Sequence, residues 1–286
     1  MRPKTLTAAA TPVLVATGVA VAVGKTAWLS EGAWPGLAAL FGALLLQIAS
    51  NFANDVFDFE AGADTEDRLG PPRAAQLGLL TPQQLRRGLM AVLGAALLVG
   101  CYLATVRGWP IIAIGLASML AAVAYTGGPY PLGYHGLGDI FVMLFFGFVA
   151  VLGTVYVKLG YVPQLAYFAA IPVGALSTAI LVVNNLRDRE SDARVGKRTL
   201  AVRLGERGAV LEYAALVLLA YAVPLGLVAF RRTSLWSLLP LFSLPLGVRL
   251  VRQVASVRGK AMNALLARTA QLLALYGILF AVGLAL

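Results

Sequence analysis

Uncharged apolar stretches long enough to cross a bilayer recur along the whole of this 286-residue chain. Residues 38–50 and 92–105 carry no charge at all, and only 13% of the chain is charged, against about 25% in soluble domains. A membrane-spanning helix needs about 20 apolar residues, and it closes its own backbone hydrogen bonds, which lipid cannot do. The pattern predicts an all-α polytopic membrane protein of nine spans, at residues 7–27, 34–57, 85–106, 109–125, 137–158, 163–186, 209–230, 235–251 and 261–286. No soluble domain or low-complexity tract interrupts them, so residues 1–286 read as a single transmembrane domain. Residues 1–10 read as a short basic leader into the first span, with no cleavable signal peptide. Cys101, alone of its kind, can form no internal disulfide and reads as a small core residue. His135 is the only histidine, which excludes His-rich metal sites and Ser-His-Asp chemistry.

In a soluble protein the net charge of +10 would suggest nucleic acid. Here the bases sit in the loops, where they set topology. With the N-terminus in the cytoplasm, 17 of the 23 bases face inward and five outward, with Arg268 inside the last span. That bias places the N-terminus inside and the C-terminus outside a cell (inner, cytoplasmic) membrane.

The acids obey no such rule, yet nine of 13 fall in two segments, each after an even-numbered span and so on the cytoplasmic side. The first contains Asn51, Asn54, Asp55, Asp58, Glu60, Asp64, Glu66 and Asp67; the second contains Asn184, Asp188, Glu190 and Asp192. Asn54 and Asp58 lie four apart on one helix face, as do Asn51 and Asp55. Asn184, Asp188 and Asp192 form a single stripe; Glu60, Glu66 and Glu190 fall off the stripes and read as solvated. Carboxylates and amides at a membrane boundary are costly unless they serve something. An oxygen-only donor set suits Mg²⁺, which takes one or two carboxylates and shares its shell with substrate phosphates. Two such stripes would clamp a diphosphate, with Arg68, Arg73, Lys197 and Arg198 neutralising its remaining oxygens. Corresponding acids after spans two and six also hint at an internal duplication.

A Gly/Pro-rich loop follows span four and contains Tyr125, Tyr130, Tyr134, His135 and Asp139. Its aromatics either line a substrate cavity or anchor helix ends at the interface. Lys4, at the entrance to span one, is either a topogenic charge or a substrate ligand.

The runs Asn54-Asp55-x-x-Asp58, Gly62-x-Asp64-x-x-Asp67-Arg68-x-Gly70-x-x-Arg73 and Asn184-Asn185-Leu186-Arg187-Asp188-x-x-x-Asp192-x-x-x-Gly196-Lys197 resemble the UbiA superfamily of intramembrane prenyltransferases. Within it they look like the MenA branch, which prenylates 1,4-dihydroxy-2-naphthoate. The likeness extends from Arg2 to about Leu204. It implies nine helices around a central cavity, capped on the cytoplasmic side and open laterally to lipid. It implies Mg²⁺ held by Asn54, Asp58, Asp64, Asp188 and Asp192, with Asp58, Asp67, Asp188 and Asp192 catalytic. Asn51, Asp55, Arg68, Arg73, Tyr125, Asn184, Lys197, Arg198 and Lys4 would bind substrate. The superfamily's third acid position is Gly62 here, which leaves Asp64 and Asp67 as alternatives for it, and Asp55 or Asp67 for a base. The implied reaction joins a polyprenyl diphosphate to dihydroxynaphthoate with loss of CO₂ and diphosphate, giving demethylmenaquinone.

Two competing readings are weaker. Another acceptor, such as 4-hydroxybenzoate or homogentisate, keeps the chemistry and changes the ring. A cation-coupled transporter would want an acid near the membrane midplane, whereas these acids gather at one face.

Overall fold

The computed structural model describes residues 3–24, 33–62, 69–71 and 73–286, with the side chains of 3–5 outside that description. The apolar stretches form helices α1 (Pro3–Gly24), α2 (Ala33–Glu60), α3 (Pro82–Arg107) and α4 (Trp109–Ala124). The fifth pass is α5 (Gly138–Val142), a π-helical segment (Met143–Val149) and α6 (Ala150–Leu159). Then come α7 (Gln164–Arg194), α8 (Leu200–Ala229), a 3₁₀ segment (Leu235–Ser243) leading into α9 (Leu244–Ser256), and α10 (Met262–Ala285). Eight passes are long and apolar enough to cross a membrane; α4 is a shorter apolar helix of 16 residues. Among the described residues, eight passes and this shorter apolar helix stand where hydropathy predicts nine. Three of them overrun their predicted ends by three residues or more, the eighth reaching Ser256. The second runs on to Glu60 and the sixth to Arg194, because their polar last turns are paired within the protein.

Local signals set the boundaries. Thr81 and Gln84 cap α3 reciprocally, with Pro82 at its first position, where a missing N–H costs nothing. Gly160 closes α6 in the left-handed conformation. Gly205, at φ 70°, kinks α8 just past its Thr199 cap.

The core sits off-centre. Its main cluster joins α1, α6, α7, α8 and α10, while α2, α3 and α4 contribute small separate clusters. Between the two groups lies a cavity of about 400 Å³, within the range of small-molecule sites. Cys101 is exposed on the outer face of α3, which corrects its reading as a core residue: α3 buries little of itself and turns that face away from the bundle.

Close backbone approach locks the core side together, as small residues allow where no hydrophobic effect drives helix association. A Cβ on Gly18 of α1 would stand 2.4 Å from the Ala281 carbonyl oxygen and 2.7 Å from its Cα on α10. Gly18→Ala therefore pushes α1 off α10. It should lower stability by about 1–3 kcal/mol, the usual cost of overpacking, read as a fall in melting temperature in detergent.

Candidate active site

The C-terminal ends of α2 and α7 bring their polar stripes to one end of the cavity. Asn51, Asn54 and Asp58 line it from α2, and Asn184, Asp188 and Asp192 from α7. Arg73, Tyr125 and Lys197 join them, so the predicted cations Arg73 and Lys197 do reach the acids. The rest of the wall is mostly apolar, from α3, α4, α5 and the π segment, with a few uncharged polar side chains among them. Leu97 and Leu116 line the cavity yet remain 42% and 46% exposed, so this wall also faces outward.

Asp58 is the hub. It is buried, and Arg73 donates to its Oδ2 at 2.5 Å while the Tyr134 hydroxyl donates to Oδ1 at 2.8 Å. Lys197 Nζ stands 4.0 Å from the same carboxylate, 3.7 Å from Asp192 and 4.9 Å from the Tyr134 ring centroid. Arg73 also donates to the Asn54 carbonyl and lies 3.5 Å from Asp55. The Asn54 side chain accepts from Thr126 at 2.9 Å. A buried carboxylate needs such pairing, because an unpaired ion costs several kcal/mol in a low dielectric.

Asp188 has its own cation. Arg187 donates to Oδ1 from Nε at 2.8 Å and to Oδ2 from Nη2 at 2.5 Å, a bidentate pair. The same guanidinium donates to Asn184 and, from Nη1, to Asn263 of α10, each at 2.8 Å. Asn263 in turn donates to the Leu69 carbonyl at 2.9 Å. The second acid stripe is thereby tied to the segment that follows the first. Sequence reasoning missed this joint. Arg187 counted there as a topogenic base and as part of the family-like run, with no pairing assigned to it, and Asn263 carries no local signal.

The loop after α4 forms part of the cap. Tyr130 stacks on His135 at 3.6 Å, and His135 Nδ1 pairs with the Pro131 carbonyl, so the lone histidine braces the loop. Backbone N–H of Arg198 donates to Tyr134 at 2.8 Å, while the Arg198 side chain is exposed and does not line the cavity. Burial, and after it the charge of Asp139, holds the Tyr125 hydroxyl well above the ordinary phenol range. Burial and the Asp58 carboxylate do the same for Tyr134. Both are therefore neutral O–H donors near neutral pH and not bases. Asp55 lies beside Arg73 but does not line the cavity; Glu60 pairs with Arg86 at the surface. Asp64, Asp67 and Arg68 lie outside the described residues, as does the Lys4 side chain.

The donor set fits a hard divalent cation. Amide and carboxylate oxygens from two helices face one cavity. Among the described residues no three carboxylates or other metal-binding side chains gather into a closed protein site. That is the arrangement Mg²⁺ prefers, with one or two carboxylates and the rest of its shell from water and phosphate.

Comparison with known proteins agrees. Residues 10–274 match the UbiA prenyltransferase family. The chain is 40% identical to the 1,4-dihydroxy-2-naphthoate octaprenyltransferase of Escherichia coli, over 99% of this chain and 93% of that protein. It is also 40% identical to the enzyme of the same name from Mycobacterium tuberculosis, over 90% and 85%. Among solved structures, a UbiA homologue from Aeropyrum pernix superposes with a TM-score of 0.71 at 13% identity, covering 97% of this chain and 96% of that one. One from Archaeoglobus fulgidus, bound to DMAPP and Mg²⁺, superposes at 0.64 and 13% identity, covering 98% and 97%.

The Asn263 joint makes a separate prediction. Asn263→Leu removes a charge-assisted hydrogen bond from Arg187 and the tether to Leu69. It should cost about 1–3 kcal/mol in melting experiments and speed amide exchange around residues 69–80 about tenfold, measured by hydrogen–deuterium exchange.

Proposed function

Because the chain belongs to the UbiA prenyltransferase family, we propose that it transfers a polyprenyl chain from its diphosphate to 1,4-dihydroxy-2-naphthoate, in menaquinone biosynthesis. The observation that carries this reading is the pair of acid-bearing helix ends, with their cations, closing one end of an otherwise apolar cavity. Near-full-length relatives at 34–40% identity support the choice of acceptor.

The assigned roles follow from position. Asn54 and Asp58 on α2, and Asp188 and Asp192 on α7, would hold Mg²⁺, with Asp64 or Asp67 as a further ligand in place of Gly62. Mg²⁺ bound there supplies charge stabilisation to the departing diphosphate. Arg73 and Lys197 already stand within reach of the acids, and they donate to the phosphate oxygens as negative charge grows on them. Arg68 and Lys4 extend this set, and Asn51 and Asn184 add amide contacts beside it. Tyr125 and Tyr134, both neutral, donate hydrogen bonds without competing for protons. The allylic C–O bond breaks and its electrons leave with diphosphate. The apolar wall of α3 and α4 keeps water from the allylic cation. The ring carbon bearing the carboxylate forms the new C–C bond. The electrons of the C–CO₂ bond then restore the aromatic ring as CO₂ leaves, so no ring proton has to be removed.

The long tail lies along α3 and α4, where Leu97 and Leu116 face both cavity and exterior. The basic loops place the N-terminus and the site on the cytoplasmic side of the cell membrane and the C-terminus outside. The whole of residues 1–286 acts as one transmembrane catalytic unit.

Membranes containing the protein should convert carboxyl-labelled dihydroxynaphthoate and a polyprenyl diphosphate to the prenylated ring with release of labelled CO₂. Prenylation of 4-hydroxybenzoate alone would overturn the acceptor. EDTA should stop turnover and Mg²⁺ restore it. Asp58→Asn and Asp188→Asn should each lower kcat/KM by roughly 10²–10³-fold in protein that is still folded though it melts earlier, and near-normal rates in both would refute the clamp.

A further inference from the structure

Two polar side chains deep in the cavity have no place in the diphosphate site. Gln47 of α2 and Ser177 of α7 both line the cavity, at 8% and 3% exposure. Gln47 Oε1 and Ser177 Oγ have no hydrogen-bond partner among the described residues. The other hydroxyls of the deep wall are spent on their own helices: Ser118 donates to Ile114 and Thr154 to Ala150. Buried polar atoms in native proteins are nearly always satisfied by protein or water, so two orphans on residues that line one cavity point to an occupant of that cavity.

Their register is the same on both helices. Gln47, Asn54 and Asp58 are spaced by seven and then four residues, and so are Ser177, Asn184 and Asp188. These spacings keep each trio on one helix face. At 1.5 Å per residue, Gln47 and Ser177 lie about 10 Å deeper than Asn54 and Asn184. Among the described residues, the charged groups that line the cavity, Asp58, Arg73, Asp188, Asp192 and Lys197, belong to its other end.

On the functional reading above, two substrates share this space. A prenyl chain offers no hydrogen bond to an amide or a hydroxyl. The ring does: a phenolic O–H can donate to Gln47 Oε1 and can accept from Ser177. A carboxylate has no cation to meet at this depth and would go unpaired there. We infer that Gln47 and Ser177 form the acceptor subsite, holding the ring hydroxyl remote from the carboxylate and turning the carboxylate-bearing carbon toward the diphosphate end. The pair thus orients the ring for attack and selects a neutral hydroxyl, not a second charged group, at the deep position.

The test compares purified full-length wild type with Gln47→Leu, a near volume match, and Ser177→Ala. Each is titrated with 1,4-dihydroxy-2-naphthoate and with 1-hydroxy-2-naphthoate, which lacks the remote hydroxyl. Binding is read both as a ligand-induced shift in melting temperature and as KM or Ki. Wild type should prefer the dihydroxy ring by about tenfold, the scale of one hydrogen bond. Each variant should bring the two compounds within about twofold, through weaker binding of the dihydroxy ring alone. KM for the prenyl diphosphate should stay within about twofold of wild type. A preference that survives both substitutions overturns the inference, as does a KM for the diphosphate that moves with that for the ring. Loss of fold in Gln47→Leu would show in its melting without ligand, and Ser177→Ala then decides alone. The melting shifts need no turnover. Failure of wild type to prenylate the naphthoate would therefore sink the functional reading while the subsite is still tested by binding.

Discussion

A carboxylate cannot be left unpaired inside an apolar bundle, and the arrangement around Asp58 is how this chain meets that constraint. Asp58 ends the polar stripe of α2. Arg73 reaches it from the segment before α3, Tyr134 from the loop before α5, and Lys197 from the turn after α7. Three further parts of the chain therefore converge on one side chain of α2. The helices that bring them there enclose the cavity as a consequence. Arg187 repeats the solution at Asp188 and ties in α10 through Asn263. The two acid stripes are thus cross-braced through basic and amide side chains rather than through each other.

This division gives the molecule two chemical zones in one cavity. The polar end gathers every charge that lines it, and the apolar length is walled by helices whose outer faces remain exposed. A substrate with a charged head and an isoprenoid tail matches that division, head to the acids and tail along α3 and α4. The opposite flank, where α1, α7, α8 and α10 pack tightly, supplies rigidity. Backbone contacts such as Gly18 against Ala281 hold it, together with buried hydrogen bonds between Tyr213 and Thr269 and from Tyr276 to the Ala220 carbonyl. Rigid support for a site on helix ends is what positioning of two substrates requires.

Much of this was legible before any coordinates. Hydropathy located nine passes because lipid forces each one to be long and apolar. Four-residue spacing identified Asn54, Asp58, Asn184, Asp188 and Asp192 because a helix puts such residues on one face. Other features were not legible, for stated reasons. Tyr134 could anchor a helix end or line the cavity, and only the fold of its Gly/Pro-rich loop shows that it donates to Asp58 instead. Arg187 stood in the family-like run and among the loop bases, and its pairing with Asp188 showed only once α7 proved to run eight residues past its predicted end, to Arg194. Arg198 follows Lys197 directly yet points outward, because the turn after α7 aims only one of them at the acids. Gln47 and Ser177 gave no signal at all, since a single polar residue in an apolar span acquires meaning only when its neighbours leave it unpaired.

The central claim is that the stripes on α2 and α7 hold one metal–diphosphate group between them. A crystal structure with Mn²⁺ in place of Mg²⁺ and an unreactive polyprenyl thiodiphosphate tests it most directly, because manganese scatters anomalously and oxygen does not. The account predicts anomalous density between Asp58 and Asp188, with the diphosphate in contact with Arg73 and Lys197. Manganese bound at one stripe alone, or away from both, would contradict it.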